Sequence, residues 1–154
     1  MTRTAARLLA LQLSFAANAG SDLGVEDFFD ADYFCALPPE DSLFAEMPGE
    51  KEKQYILSVV NGVREHREEL DGYITRYSRG WKISRMSKTA LGILRCAMYE
   101  IIYMPEIPAA ASINEAVELD KRFDDQETVS FVNGILDSFM KGIESSQDHA
   151  DEAE

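Results

Sequence analysis

Apolar residues recur every three or four positions along most of this chain, the spacing that places them on one face of an α-helix. The first run extends from Ala6 to Ala16 with two apolar stripes, and polar or small residues from Asn18 onward end it. A helix that is apolar on two sides is typical of the centre of a bundle. The next segment mixes aromatic rings with carboxylates, and it predicts an acidic amphipathic helix over about residues 22–36, followed by a loop.

Two longer patterns occupy the middle of the chain. One begins near Glu50, and glycine inside its register predicts a break between Glu68 and Gly72. The other follows Ser84 or Ser87, each a residue type that caps helix N-termini, and it stops before Pro105.

The last two helical runs cover about residues 110–123 and 127–143, and the second has near-ideal helical spacing. No segment alternates as a half-buried strand does, and no glycine-rich phosphate loop is present. The pattern therefore predicts an all-α protein of about six or seven helices with short connections. We expect one domain over residues 1–143, with an acidic insert at about 22–52 and a disordered acidic tail over 144–154.

The net charge of −13 argues at first against a nucleic-acid partner. The acidity is local, however, because residues 22–52 hold ten carboxylates and one lysine, and residues 144–154 hold five carboxylates and no lysine or arginine. The rest of the chain holds 14 basic and 13 acidic side chains and is therefore close to neutral. The overall charge does not exclude phosphate binding by the body of the protein.

One stretch, between Gly72 and Tyr99, contains no carboxylate at all. Its cations alternate with aromatic residues, a combination that binds phosphates or an acidic partner surface; the residues are Arg76, Arg79, Lys82, Arg85, Lys88 and Arg95, with Tyr73, Tyr77 and Trp81. Composition alone favours the alternative, a solvated helix face whose aromatic rings turn into the core. Arg95 lies at the edge of an apolar stripe, where an arginine usually ties helices together through a carbonyl or carboxylate.

Candidate catalytic and metal-ligating residues are sparse. The two histidines, His66 and His149, have no cysteine or carboxylate at zinc-ligand spacing. Glu115 and Glu118 share a helix face, and such exposed pairs are far more often solvent-facing than catalytic. We therefore expect a binding protein with no cofactor and no enzymatic activity.

The cysteines and the hydropathy pattern indicate the compartment. Cys35 and Cys96 lie in apolar contexts without metal-ligand spacing, which is typical of buried reduced thiols in a cytosolic protein. No apolar run reaches the length needed to span a bilayer, and the N-terminus lacks the features of a secretory signal. We expect a cytoplasmic protein with no membrane partner.

Four motifs also follow one another in a distinctive order: Arg85-Met86-Ser87, Ile93 to Glu100, Ile113 to Leu119 and Phe131 to Asp137. Together they resemble the NusB family of bacterial transcription antitermination factors, over roughly residues 72–137. The first helix is similar as well, because Ala10, Gln12 and Phe15 match the family's A-x-Q-x-x-Y/F pattern.

The resemblance implies a seven-helix fold of two helical subbundles. It also implies binding of the boxA element, a single-stranded RNA in ribosomal RNA leaders, as a heterodimer with the small-subunit ribosomal protein also called NusE. In that role the protein joins an RNA polymerase antitermination complex, which reads through termination signals during ribosomal RNA synthesis.

The family's site residues map onto positions of this sequence. The positions implied for RNA binding are Arg3, Arg7, Gln12, Glu127 and Phe131. The positions implied for contact with the protein partner are Phe15, Lys88 and Ala90. Phe131 lies at the edge of its helix's apolar stripe, where part of a ring can be exposed for stacking; packing into the core is the alternative that the pattern favours.

The chain departs from the family pattern at several positions. Thr4 and Ala5 stand where basic residues are usual, and Ala110 stands where a lysine is common. Asp120 replaces a small apolar residue on or beside a buried stripe, where a charge costs stability unless it is paired or hydrated. Fewer arginines would weaken RNA binding and flatten its salt dependence, by a slope of about 0.7 per lost contact.

Two other functions remain open at this point. One is a helical protein–protein adaptor that keeps the partner surface but binds RNA weakly or not at all. The other is a homodimer that buries its RNA surface until a partner displaces the second copy.

Overall fold

The structure, a computed structural model, describes residues 2–18, 49–78 and 86–152. These residues form six helices and no strand, which confirms the predicted all-α fold. In chain order the helices are α1 (Arg3–Asn18), α2 (Glu50–Glu65), α3 (Arg67–Tyr77), α4 (Lys88–Tyr103), α5 (Ala109–Asp120) and α6 (Gln126–Glu152). The chain divides into two compact units, residues 1–66 and 67–154. The acidic helix predicted over residues 22–36 and the candidate cap Ser84 lie outside the described residues.

The first unit contains α1 packed against α2. The Thr2 hydroxyl caps α1 by accepting a hydrogen bond of 3.1 Å from the Ala5 backbone N–H. Both apolar stripes of α1 are buried, as its two-sided pattern predicts: Leu8, Leu9, Leu11 and Leu13 expose 3% of their surface or less. Helix α2 supplies the facing apolar residues, which are Ile56, Val59, Val60 and Val63.

The break in the long helical pattern falls at His66, two residues before the predicted interval. His66 leaves the helical conformation, and its N–H donates to the Gly62 carbonyl to close α2. Helix α3 then starts with Glu68 and Glu69 in its first turn, where carboxylates favour a helix N-terminus. Gly72, whose presence suggested the later break, stays helical and exposed, with open space beside it.

The second unit is built on α3 to α6. Ser87 caps α4, since its hydroxyl accepts a 3.0 Å hydrogen bond from the Ala90 N–H, and α4 ends at Tyr103, before Pro105 as predicted. Helix α5 ends at Asp120 rather than Phe123. Helix α6 continues to Glu152, nine residues past its predicted end, so most of the segment expected to be a disordered tail is helical here. That extension contains no glycine or proline to interrupt the helix.

The core of this unit gathers around Phe139, a fully buried residue of α6. Tyr73 and Tyr77 of α3 approach its ring edge-on, with centroid distances of 5.1 and 5.9 Å. Gly142 lies so close to the Tyr77 hydroxyl that a Cβ would have no room. Two of the three aromatic residues in the carboxylate-free stretch therefore turn inward; the third, Trp81, is outside the described residues.

Arg95 ties α4 to α3, in the way its position at the edge of an apolar stripe predicts. Its guanidinium donates two hydrogen bonds to the Asp71 carboxylate, from Nε to Oδ1 at 2.7 Å and from an Nη to Oδ2 at 3.0 Å. The arginine side chain exposes 9% of its surface and the aspartate side chain 28%. A planar, two-bond contact of this kind fixes the rotation of α4 about its axis relative to α3.

Removing one partner of this pair leaves the other poorly solvated. We expect Arg95→Ala to lower the free energy of unfolding by about 3 kcal/mol, because the Asp71 carboxylate then keeps its burial and loses both donors. Urea denaturation followed by circular dichroism measures the change. Lys121→Ala is the matched control: its pair with Glu118 joins side chains that are 49% and 56% exposed, and we expect a loss below about 1 kcal/mol. If the two variants lost the same free energy of unfolding, the Arg95–Asp71 pair would not stabilise the fold more than a surface ion pair does.

Candidate nucleic-acid interface

The N-terminus of α1 has the charge and donors that an anion needs. Arg3, its first residue, is exposed, and the first turn contains no carboxylate. The unpaired backbone N–H groups of a helix N-terminus carry a partial positive charge, so they add to the guanidinium's attraction for a phosphate. Of the two arginines predicted to contact RNA, Arg3 is the one that solvent reaches freely.

Arg7 lies one turn further along α1 and is buried, with 9% of its surface exposed. Its guanidinium carbon sits over the ring of Tyr55, a residue of α2, at 5.9 Å from the ring centroid. A cation over an aromatic face is attracted by the negative face of the ring, so this contact links α1 to α2. Arg7 thus has a packing role that its sequence position did not indicate.

Gln12 is exposed but does not share a face with Arg3. At 3.6 residues per turn, nine positions place Gln12 about half a turn around α1 from Arg3 and about 13 Å along the axis. One short RNA segment that contacts both residues would have to wrap around the helix.

The three residues predicted to contact a protein partner differ in how exposed their side chains are. Phe15 lies in α1 beyond the residues whose side chains the structure describes. Lys88, the first residue of α4, is exposed. Ala90 exposes 1% of its surface, and its backbone N–H is engaged by Ser87, so of the two residues in α4 only Lys88 offers a side chain to a partner.

The start of α6 brings Glu127 and Phe131 onto one face, one turn apart. Glu127 is exposed and Phe131 is half-buried, whereas the neighbouring Val132 is fully buried. The prediction that Phe131 lies at the edge of the apolar stripe is therefore confirmed. Its ring keeps an accessible part on which a base can stack.

The connection between α5 and α6, residues 121–125, is a turn with two exposed cations, an exposed aromatic ring and two aspartates, which the sequence pattern did not predict. Lys121, Arg122 and Phe123 are all exposed. Phe123 was expected to complete the apolar stripe of α5, but half of its surface, 50%, is accessible. The sequence signal is Asp125, a residue type that caps helix N-termini; its carboxylate accepts a 2.9 Å hydrogen bond from the Thr128 N–H at the start of α6.

Asp120, the last residue of α5, is fully buried, as its place on or beside the apolar stripe predicts. Neither carboxyl oxygen has a hydrogen-bond partner within the described part of the chain. Burial, followed by the neighbouring carboxyl groups of Asp124 and Asp125, raises the pKa of Asp120 to about 7. The side chain thus carries an energetic cost near neutral pH that an apolar residue would not.

Within residues 2–18, 49–78 and 86–152, no group of histidine, cysteine and carboxylate side chains is arranged to hold a metal ion. No helix in those ranges is long and apolar enough to cross a membrane. Cys96 is half-buried rather than buried, whereas Cys35 lies outside the described ranges.

Comparison with known proteins gives consistent results. A family model described as the NusB family matches residues 4–141. The transcription antitermination protein NusB of Acetivibrio thermocellus is 50% identical over 92 residues, which are 60% of this chain and 63% of that protein, less than two thirds of its length. The NusB protein of Lactiplantibacillus plantarum is 37% identical over 142 residues, covering 92% of this chain and 96% of that protein. A solved structure of T. maritima NusB matches 92% of each chain with a TM-score of 0.70 and 27% identity.

The buried carboxyl of Asp120 makes stability depend on pH. Because its folded-state pKa of about 7 lies above the ordinary 3.8, the unfolded chain ionises first as pH rises. We expect the free energy of unfolding to fall between about pH 4 and pH 7, and to level off above pH 7. Asp120→Asn should flatten this dependence and raise stability at pH 8 by roughly 1–3 kcal/mol. Urea denaturation at pH 5 and pH 8 tests both statements.

Asp137→Asn is the matched control, since this aspartate is 48% exposed and pairs with Lys141 at the surface. We expect that variant to keep the wild-type pH dependence. If Asp120→Asn also kept it, the titration would belong to another group.

Proposed function

This chain belongs to the NusB family of transcription antitermination proteins, and we propose that it binds boxA-type single-stranded RNA of ribosomal RNA leaders together with NusE. In this role it promotes processive transcription of ribosomal RNA. The observation that carries the proposal is the extent of the family match, residues 4–141, which includes all the positions inferred for RNA or partner contact except Arg3. The resemblance seen in the sequence motifs is thereby confirmed at the level of the family.

The chemistry of the first unit supports the RNA part of the proposal. Phosphates bind at the exposed Arg3 and at the N-terminus of α1, where no carboxylate opposes them. In the second unit, the accessible part of the Phe131 ring provides a surface for a base. Positive charge for the RNA backbone and a ring for a base are the two elements that single-strand binding requires.

The start of α4 supports the part of the proposal that concerns binding of the protein partner. Lys88 projects from the first turn of a helix whose N-terminus is held by Ser87. Because the cap fixes this turn, a partner meets Lys88 on an ordered backbone and little ordering entropy is lost on binding.

The burial of Arg7 favours a second candidate function, a protein–protein adaptor that binds RNA weakly. With Arg7 engaged by Tyr55 and basic residues absent at Thr4 and Ala5, the first turns of α1 offer one freely exposed arginine. Each phosphate contact adds about 0.7 to the salt slope on a single strand, so a site with one such contact gives a shallow dependence.

Titration of boxA-type RNA into the protein with and without NusE, over a series of salt concentrations, separates the two functions. We expect the heterodimer to bind the RNA, and Arg3→Gln to weaken binding at low salt and reduce the salt slope by about 0.7. Fluorescence anisotropy of labelled RNA measures both quantities.

Lys141→Gln is the matched control, because it removes the same charge from an exposed residue about 15 Å along α6 from Phe131. It should leave the slope unchanged. Absence of RNA binding by the heterodimer at low salt would refute the RNA-binding function. If NusE still bound under those conditions, the adaptor function would take its place.

A further inference from the structure

We propose that the α5–α6 turn, residues 121–125, is a second contact for single-stranded RNA, with Phe123 as a stacking platform for a base and Arg122 as the contact for an adjacent phosphate. This inference rests on the proposed function and extends its RNA surface to a turn that the family motifs do not include. Four features of the turn carry it: the exposure of the ring, the fixed backbone, the free cation and the state of the nearby carboxylates.

The first feature is the exposure of Phe123. Two large apolar side chains are exposed within the described residues, Tyr103 at 38% and Phe123 at 50%. The exposure of Tyr103 is explained by its hydroxyl, which donates a 2.8 Å hydrogen bond to the Glu69 carboxylate at the surface. Phe123 has no polar atom, so its accessible face gains free energy only when something apolar or aromatic covers it.

The second feature is the fixed backbone of the turn. The N–H of Arg122 donates to the Leu119 carbonyl at 3.1 Å, and the N–H groups of Phe123 and Asp124 donate to the Asp120 carbonyl at 3.0 and 2.9 Å. The Asp124 carboxylate also accepts a 3.2 Å hydrogen bond from the Ser87 hydroxyl at the start of α4. A ring on a backbone held in this way is already placed, so a base that stacks on it loses little ordering entropy.

The third feature is the cation beside the ring. Lys121 pairs with Glu118 at 2.7 Å, whereas Arg122 makes no ion pair among the residues that the structure describes. Neighbouring Cα atoms are 3.8 Å apart, so Arg122 and Phe123 are close enough to bind a phosphate and a base of the same short segment. Base stacking combined with a backbone cation is the usual way in which proteins hold single strands.

The fourth feature is that the carboxylates of the turn are engaged in holding the fold. Asp124 accepts from Ser87, and Asp125 caps α6, where the hydrogen bonds from Thr128 lower its pKa. Asp120 is buried. Glu127, exposed in the first turn of α6, repels phosphate, which leaves Arg122 as the contact for the RNA backbone.

The test compares Phe123→Leu with Phe123→Tyr in the heterodimer with NusE, using a synthetic boxA-type RNA that carries 2-aminopurine at one base position at a time. Leucine keeps an apolar side chain without the π face, and tyrosine keeps the face. We expect Phe123→Leu to weaken RNA binding about 5- to 100-fold and to abolish quenching of the 2-aminopurine that stacks on the ring. Phe123→Tyr should keep both the affinity and the quenching.

Arg122→Gln tests the phosphate contact separately. We expect it to reduce the salt slope by about 0.7 while the 2-aminopurine quenching persists, with Lys141→Gln again as the control for net charge. Both substituted side chains, at positions 122 and 123, are exposed, so the variants should unfold at the wild-type urea concentration.

The outcomes separate this inference from the proposed function. Wild-type affinity and quenching in Phe123→Leu would overturn the inference and leave the proposed function standing. Loss of NusE binding with RNA affinity unchanged would overturn it as well, since the turn would then belong to a protein interface. If the wild-type heterodimer failed to bind RNA, the proposed function would fail and this inference with it.

Discussion

In the second unit, the two hydrogen bonds between Arg95 and Asp71 fix α4 against α3, and much of the remaining structure of that unit depends on this contact. The hydrophobic effect has no direction, so burial of apolar area alone sets the rotation of a helix less sharply than a directed two-bond contact does. A planar guanidinium facing a carboxylate permits one rotation and one register. With α4 in place, its Ser87 cap meets Asp124, and this bond positions the turn between α5 and α6.

The α5–α6 turn has an exposed surface, and it follows a buried carboxyl group, that of Asp120, which lowers the stability of the fold. Asp120 contributes its backbone carbonyl to two hydrogen bonds of the turn, while its side chain is buried without a partner among the described residues. Any residue type would supply the carbonyl, so the carboxyl group itself is not needed to form the turn. Natural proteins sit only slightly above the stability they need, and a cost of this size at one position is tolerated when the surrounding core is well packed.

The helical architecture could be predicted from the sequence because apolar periodicity reports directly on which face is buried. The last two helices and the end of α4 before Pro105 follow from periodicity and from proline chemistry. The break lies at His66, earlier than Gly72 suggests, because the carboxylates Glu68 and Glu69 favour a helix start just after it. An isolated glycine in a helix costs only about 1 kcal/mol, and neighbouring packing easily outweighs that.

The candidate site was less predictable, because residue type does not determine exposure. The sequence places Arg3 and Arg7 on one face of α1, but only the structure shows that Tyr55 covers the second of them. Phe123 fits the apolar stripe of α5 by its spacing, yet α5 ends at Asp120 and half of the Phe123 surface is exposed in the turn that follows. Both features depend on tertiary context, which single-sequence periodicity does not contain.

The charge distribution bears on the kind of RNA binding that we propose for this chain. A protein with net charge −13 gains no long-range attraction toward RNA, and screening by salt further limits what a few exposed cations contribute. Stacking of bases on Phe131 and Phe123 does not depend on net charge and is little affected by salt. Helix α1 contains two basic residues, Arg3 and Arg7, and Arg7 is buried, so in the proposed complex we expect rings rather than arginines to supply most of the affinity. The salt dependence of binding would then be shallow even where the binding itself is tight, which distinguishes a stacking surface from a basic one.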